Sequence, residues 1–156
     1  MKQKQKFSIT RTLEGTVFEI AFLVLAIVVW AVIIVMMRHA PDIIATHFNA
    51  AGNPDSYGNK LNILFPLIIT TVAGACSLLG AYFPHTVNLP VKIGNMRQAL
   101  LVTRMMRILS IAFLLLTLAI AYSSLHGNPS AVPAIASVVI IIGIVAIFTF
   151  LVYRSR

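Results

Sequence analysis

Four stretches of this 156-residue chain, Val17 to Met37, Leu61 to Phe83, Ile108 to Leu125 and Ala131 to Tyr153, carry one formal charge between them, Glu19. Each is close to the roughly 20 apolar residues that a helix needs to cross a bilayer. Backbone N–H and C=O groups cannot go unpaired in hydrocarbon, and none of the four runs alternates as a barrel strand does, so helices are the structure that satisfies them. Charged residues make up only 10% of the chain, against the roughly 25% that a soluble domain uses to cover its surface. The expected fold is therefore an all-α membrane protein, with a basic tail over residues 1–15 and a single four-helix domain over 16–156.

The distribution of charge orients it. Lys2, Lys4, Lys6 and Arg11 precede the first span; Lys92, Arg97, Arg104 and Arg107 lie between the second and third; Arg154 and Arg156 follow the fourth. The two other loops hold only Arg38 and Lys60, so the positive-inside bias predicts that both termini face the cytoplasm and that residues 38–60 face out. A basic chain of this kind needs no nucleic-acid partner, because anionic headgroups attract juxtamembrane Lys and Arg by about 1 kcal/mol each. The first span is too long for the apolar core of a signal peptide and no small-residue cleavage site follows it, so it is expected to remain. Cys76, the single cysteine, lies within the second span, where it packs as a small apolar side chain and forms no intrachain disulfide.

Local signals fill in the connections. Thr16 with Glu19 three residues on matches a capping box, which explains Glu19 without a proton-handling role. Pro41 followed by Asp42 suits the first turn of a short helix running to about Phe48, with Ile43, Ile44, His47 and Phe48 on one face. Asn53-Pro54-Asp55 and Tyr57-Gly58 read as turns. Pro66 is expected to bend the second span near its outer end. Ala73, Ser77 and Ala81 form a small-residue stripe suited to a close helix contact, although an Ala-rich run produces such stripes by chance. After an extended segment near Val87 to Val91, Asn95 is placed to cap a helix from Met96 to Leu125, whose first turns project below the bilayer. Arg97, Arg104 and Arg107 would share one stripe of that extension and lie at the inner headgroup surface. The loop from His126 to Ser130 is short enough to make the last two spans an antiparallel pair, with Pro129 and Pro133 at the start of the fourth.

Chemistry has one obvious place to reside. The first outer loop holds His39, Asp42, His47, Asn49, Asp55 and Lys60, and His126 comes from the second. No His-x-x-x-His, His-Glu-x-x-His or paired-cysteine spacing is present, so neither a metal nor another cofactor is expected. Ser56 and Ser123 have no identifiable base and no Gly-x-Ser-x-Gly turn, which argues against a hydrolase. The absence of ionisable groups at mid-membrane argues against an ion-coupled transporter. Histidine at an interface usually serves as an amphipathic ring, and Asn and Asp usually hold turns, so these residues have structural explanations beside any functional one.

His47-Phe48-Asn49, Gly52, Pro54-Asp55, Tyr57-Gly58 and Lys60 resemble the loop signature of a bacterial membrane domain of unknown function that stands at the start of SdpI-type immunity proteins. Asn88-x-Pro90-Val91-Lys92-Ile93, Asn95, Arg97-Gln98 and Thr103-Arg104 are similar to a second motif of the same family. Full-length immunity members carry further C-terminal helices beyond the four spans found here. The resemblance implies a multi-pass protein of the bacterial cytoplasmic membrane, with a role in immunity to, or sensing of, a secreted toxic peptide, and no enzymatic activity. The candidate partner-binding residues are then His47, Phe48, Asn49, Gly52, Pro54, Asp55, Tyr57, Gly58 and Lys60. The candidate inner-surface residues for lipid or a partner are Lys92, Arg97, Arg104 and Arg107. Expected partners are anionic inner headgroups, an extracellular peptide or another membrane protein, and the small-residue stripe permits a homo-oligomer. A small transporter or an accessory subunit of a membrane complex is the alternative.

Overall fold

A computed structural model describes Phe7 and residues 9–155; Lys2, Lys4 and Lys6 of the basic tail lie outside the described residues. Helix α1 spans Leu13–His39, a β-hairpin follows (β1 Ile43–Phe48, β2 Pro54–Asn59), and a 3-10 turn at Lys60–Ile63 leads into α2, Leu64–Gly80. After a 3-10 turn at Pro84–Thr86 come α3, Met96–Leu125, and α4, Val132–Arg154. All four helices, taking the 3-10 turn with α2, are long and apolar enough to cross a membrane. The protein is a multi-pass membrane protein by these criteria.

Helix α3 is the hub: α1, α2 and α4 all pack against it, and its buried positions run from Gln98 to Leu125 around much of its circumference. The outer helices bury little. In α1 the apolar buried residues are Phe22, Val29 and Ile33 on a narrow stripe, and in α4 the one buried residue is Val152. Most of their remaining Ile, Val and Leu side chains are exposed and suited to lipid tails. Helices in lipid gain nothing by hiding apolar surface from one another, so close backbone approach and interhelical hydrogen bonds must hold them. Gly74 provides the approach, since a Cβ there would lie 3.0 Å from the Ser110 carbonyl oxygen and 3.1 Å from Phe22 Cε2. Ser77 and Ala81 of the small-residue stripe are buried, and the Ala81 carbonyl accepts from Thr103 Oγ1 of α3 at 2.9 Å. Trp30 Nε1 donates to Thr71 Oγ1 at 3.2 Å and the Thr70 and Thr117 hydroxyls meet at 2.8 Å, each bond contributing on the order of 0.6 kcal/mol in a bilayer.

Asn95 caps α3 as expected, its side chain accepting from the Gln98 amide at 2.9 Å. Asn95 and Gln98 also donate to the Ser155 and Val152 carbonyls, at 3.2 and 3.0 Å, which pins the end of α4 to the start of α3. Both ends of the described chain therefore lie at one end of the bundle, the terminal end, opposite the hairpin end.

One expectation about the helix starts is corrected. The capping box at Thr16 and Glu19 does not form: α1 starts a turn earlier, where Thr12 accepts from the Gly15 amide at 3.1 Å, and Glu19 is instead held by the Tyr82 hydroxyl and Arg11. Helix α2 itself ends at Gly80, and Phe83, the residue before Pro84, has left helical backbone as a pre-proline residue tends to. Pro66 lies in the first turn of α2, where its missing donor costs little, and the change from 3-10 to α falls just ahead of it.

The largest difference is in the hairpin. Residues 43–48 pair with 54–59 as antiparallel strands where a short helix was expected, so the fold is not wholly α. Pro41 and Asp42 suit a helix start, but Ile43-Ile44-Ala45-Thr46-His47-Phe48 is rich in β-branched and aromatic residues that fit a pleated surface. A turn containing Gly52 then lets the chain double back. An isolated two-stranded hairpin is marginal in water, and this one gains support by seating Ile44 among Val29, Ile33, Ala40, Ile63, Leu67, Ala121 and Leu125.

Candidate functional site

The hairpin is tied to the bundle at both ends. At its base, the Lys60 amide donates to the Asp42 carbonyl at 2.9 Å, while Lys60 Nζ lies 3.0 Å from Asp42 Oδ1 and donates to the Ala40 carbonyl at 3.3 Å. Asn59 accepts from the Leu61 amide at 2.9 Å and starts the 3-10 turn. At the tip, Asn49 Oδ1 accepts from the Ala51 and Asn53 amides at 2.9 and 3.1 Å. Gly52, with φ of 80°, places its carbonyl to accept from the Ala131 amide at 3.0 Å. The tip thus docks on the start of α4, which no sequence pattern announced.

Between these anchors the register slips on both sides of His47, and the irregularity breaks the simple alternation of buried and exposed residues. Ile44 and Ala45 are both buried. His47 Nδ1 lies 2.5 Å from Asp55 Oδ1 on the exposed face, and Tyr57 is exposed nearby in sequence. Pro54 opens β2 opposite Phe48. Gly58 allows the strand to approach Thr46, whose Cγ2 would be 3.2 Å from an added Cβ.

Underneath the hairpin lies a cavity of about 360 Å³. Thr46 and Phe48 of β1, Asn62 and Pro66 near the start of α2, and Ser123 and Ser124 of α3 are among its lining residues. Ser123 is almost fully buried, and its Oγ has no hydrogen-bond partner among the described residues. An unpaired buried hydroxyl costs on the order of 1–3 kcal/mol, and this one is closed off within a largely apolar wall of the cavity.

The structure sorts the candidates into roles. Asn49, Gly52, Gly58 and Lys60 shape and anchor the hairpin; Phe48 lines the cavity; His47, Asp55 and Tyr57 present exposed groups. His126 does not join them through any contact of its own but stacks on Tyr122, with ring centroids 4.5 Å apart. Among the described residues no three His, Cys, Asp or Glu side chains converge as metal ligands do. Ser123, Ser124, Thr46 and Asn62 were not singled out in advance as cavity residues. Only a β1 that crosses the mouth of the bundle, rather than a helix lying on the membrane, brings them to one wall.

At the terminal end, Lys92 and Arg97 are exposed, and Arg104 donates to Glu14 through Nε and Nη2, both at 3.2 Å. Arg107 corrects the picture of a surface stripe: its side chain is only 4% exposed, with Nη1 3.5 Å from Glu14 Oε1. The cause is α1, which crosses α3 at Gly15, where a Cβ would fall 2.6 Å from Arg107 Nη2. Asn95, Gln98 and Thr103 of the second sequence motif hydrogen-bond to neighbouring helix ends.

Residues 24–71 match the model of a domain of unknown function, DUF1648, a stretch that takes in most of α1, the whole hairpin and the start of α2. The chain is also similar to an uncharacterised protein of the archaeon Archaeoglobus fulgidus, 28% identical over 148 residues, covering 81% of this chain and 79% of the archaeal one. No solved structure matches.

Proposed function

We propose that this protein is a binding or sensing module of the cytoplasmic membrane, whose hairpin end faces out and receives one or two side chains of an extracellular amphipathic peptide in the cavity beneath β1. The supporting observation is a mostly apolar space of about 360 Å³ beneath β1, with Ser123, whose hydroxyl is unpaired among the described residues, in its wall. Ligand sites commonly combine an apolar wall with a few oriented polar groups, and their volumes start near 300 Å³. The reading involves recognition and no bond-making step. The basic terminal end would face the cytoplasm by the positive-inside bias, and a toxic peptide is the ligand class favoured by the resemblance of the loop to immunity proteins.

The test is survival of sensitive cells expressing the protein and challenged with secreted antimicrobial peptides. Wild type is expected to protect. Asp55→Ala and Ser123→Ala are expected to weaken protection at equal protein level, because the first alters an exposed pair worth little to folding and the second deletes an unpaired group. Equal killing with and without the protein would remove the immunity reading. Orientation is checked separately: a cysteine at Ser56 should react with an impermeant reagent on intact cells, and one at Gly94 should not.

A further inference from the structure

The terminal end holds a second cavity, of about 370 Å³, that the hairpin reading does not use. Arg97, Arg104 and Arg107 all line it, with Glu14 as the acidic side chain in the wall. Glu14 engages Arg104 with both carboxylate oxygens and reaches Arg107 at 3.5 Å. Three guanidiniums thus face one carboxylate, and Arg97 makes no ion pair among the described residues. Arg107 is buried beside them, its side chain 4% exposed, and its Nη2 has no hydrogen-bond partner among the described residues. That Nη2 packs against α1 at Gly15, where an added Cβ would lie 2.6 Å away, so toward the cavity the guanidinium contributes buried positive charge.

We propose that this cavity is a binding site for a phosphate-bearing anion. Guanidinium groups present donors in a planar fork that matches phosphate oxygens two at a time, which a lysine cannot do. The anion would occupy the cavity beside Glu14, pair with Arg97 and Arg104, and be drawn by the buried positive charge of Arg107 behind them. Thr12 and Glu14 place the N-terminus of α1 at the same wall, so the positive end of the helix dipole adds to the field. Apolar Leu100 and Leu101 complete the lining and suit the glycerol or acyl portion of a phospholipid. The phosphate chemistry is shared by an anionic headgroup and by a soluble phosphate, and the experiment separates them.

Delipidated protein in non-ionic detergent is heated with increasing inorganic phosphate against chloride at matched ionic strength. In parallel, retained phosphatidylglycerol and phosphatidylcholine are counted by native mass spectrometry. Arg97→Gln and Arg104→Gln serve as variants because both side chains are exposed enough to be replaced without unfolding the bundle. Losing one charge-assisted hydrogen bond should raise the half-saturating concentration about tenfold. Saturable stabilisation by phosphate that weakens in the variants identifies a soluble anion. Selective retention of phosphatidylglycerol that falls in the variants identifies the lipid. If neither arm responds to either substitution, the cavity is not a phosphate site.

Discussion

Replacing Gly52 with alanine tests the link between the hairpin and the helices most directly. Gly52 is the one residue among those described that has a positive φ, at 80°. An added Cβ would meet nothing closer than Ala131 Cβ and Val132 Cγ2, both at 3.9 Å, which is ordinary contact. Steric overlap with neighbours is therefore negligible, and the expected cost is purely that of holding an L-residue in left-handed backbone, about 1–2 kcal/mol. Gly127→Ala is the matched control, with open space around its Cβ position and no positive φ. The assay is reversible unfolding in mixed micelles, combined with hydrogen exchange at the Ala131 amide, which donates to the Gly52 carbonyl. Gly52→Ala should lose that amount of stability and expose the Ala131 amide. Gly52→Asn should lose less, since asparagine tolerates this region better. If Gly52→Ala matches Gly127→Ala in both measurements, the left-handed turn is not what seats the tip on α4.

Other consequences follow from the helix ends and crossings. Thr12→Ala should cost about 1 kcal/mol through loss of the α1 cap, whereas Thr16→Ala should cost much less because its hydroxyl only returns to the Thr12 carbonyl; the reverse order in detergent melting would restore the capping box at Thr16. Gly15→Ala should destabilise by about 1–3 kcal/mol, as the new Cβ falls 2.6 Å from the buried Arg107 guanidinium, which must shift; an unchanged melting temperature would show that α1 does not cross there. Lys60→Met should cost no more than about 1 kcal/mol in overall stability, because Asp42 is mostly exposed, while speeding hydrogen exchange at the hairpin base. Unaltered exchange there would remove Lys60 from its anchoring role.

The long uncharged runs, the apolar composition and the Asn95 cap are local properties. They determine four helices and their approximate bounds without reference to neighbours, because lipid forces each span to satisfy its own backbone. The turns were not placed by sequence: Asn53-Pro54-Asp55 and Tyr57-Gly58 suit turns, yet residues 54–59 form β2 and the chain reverses at residues 49–53, where Asn49 holds the Ala51 and Asn53 amides. Whether Ile43 to Phe48 would be helix or strand was not settled locally either, since Pro41-Asp42 and the β-branched run favour opposite outcomes. Strand pairing with residues 54–59 and a seat for Ile44 in the bundle decide the matter. Arg107 illustrates the same boundary: its spacing from Arg97 and Arg104 makes a stripe on an isolated helix, and only the crossing of α1 at Gly15 turns it inward beside Glu14. The first cavity draws on β1, the 3-10 turn and α2 to α4, and the second on α1, the residues before it and α3. Such juxtapositions have no local signature, because they are set by how the separately formed helices pack.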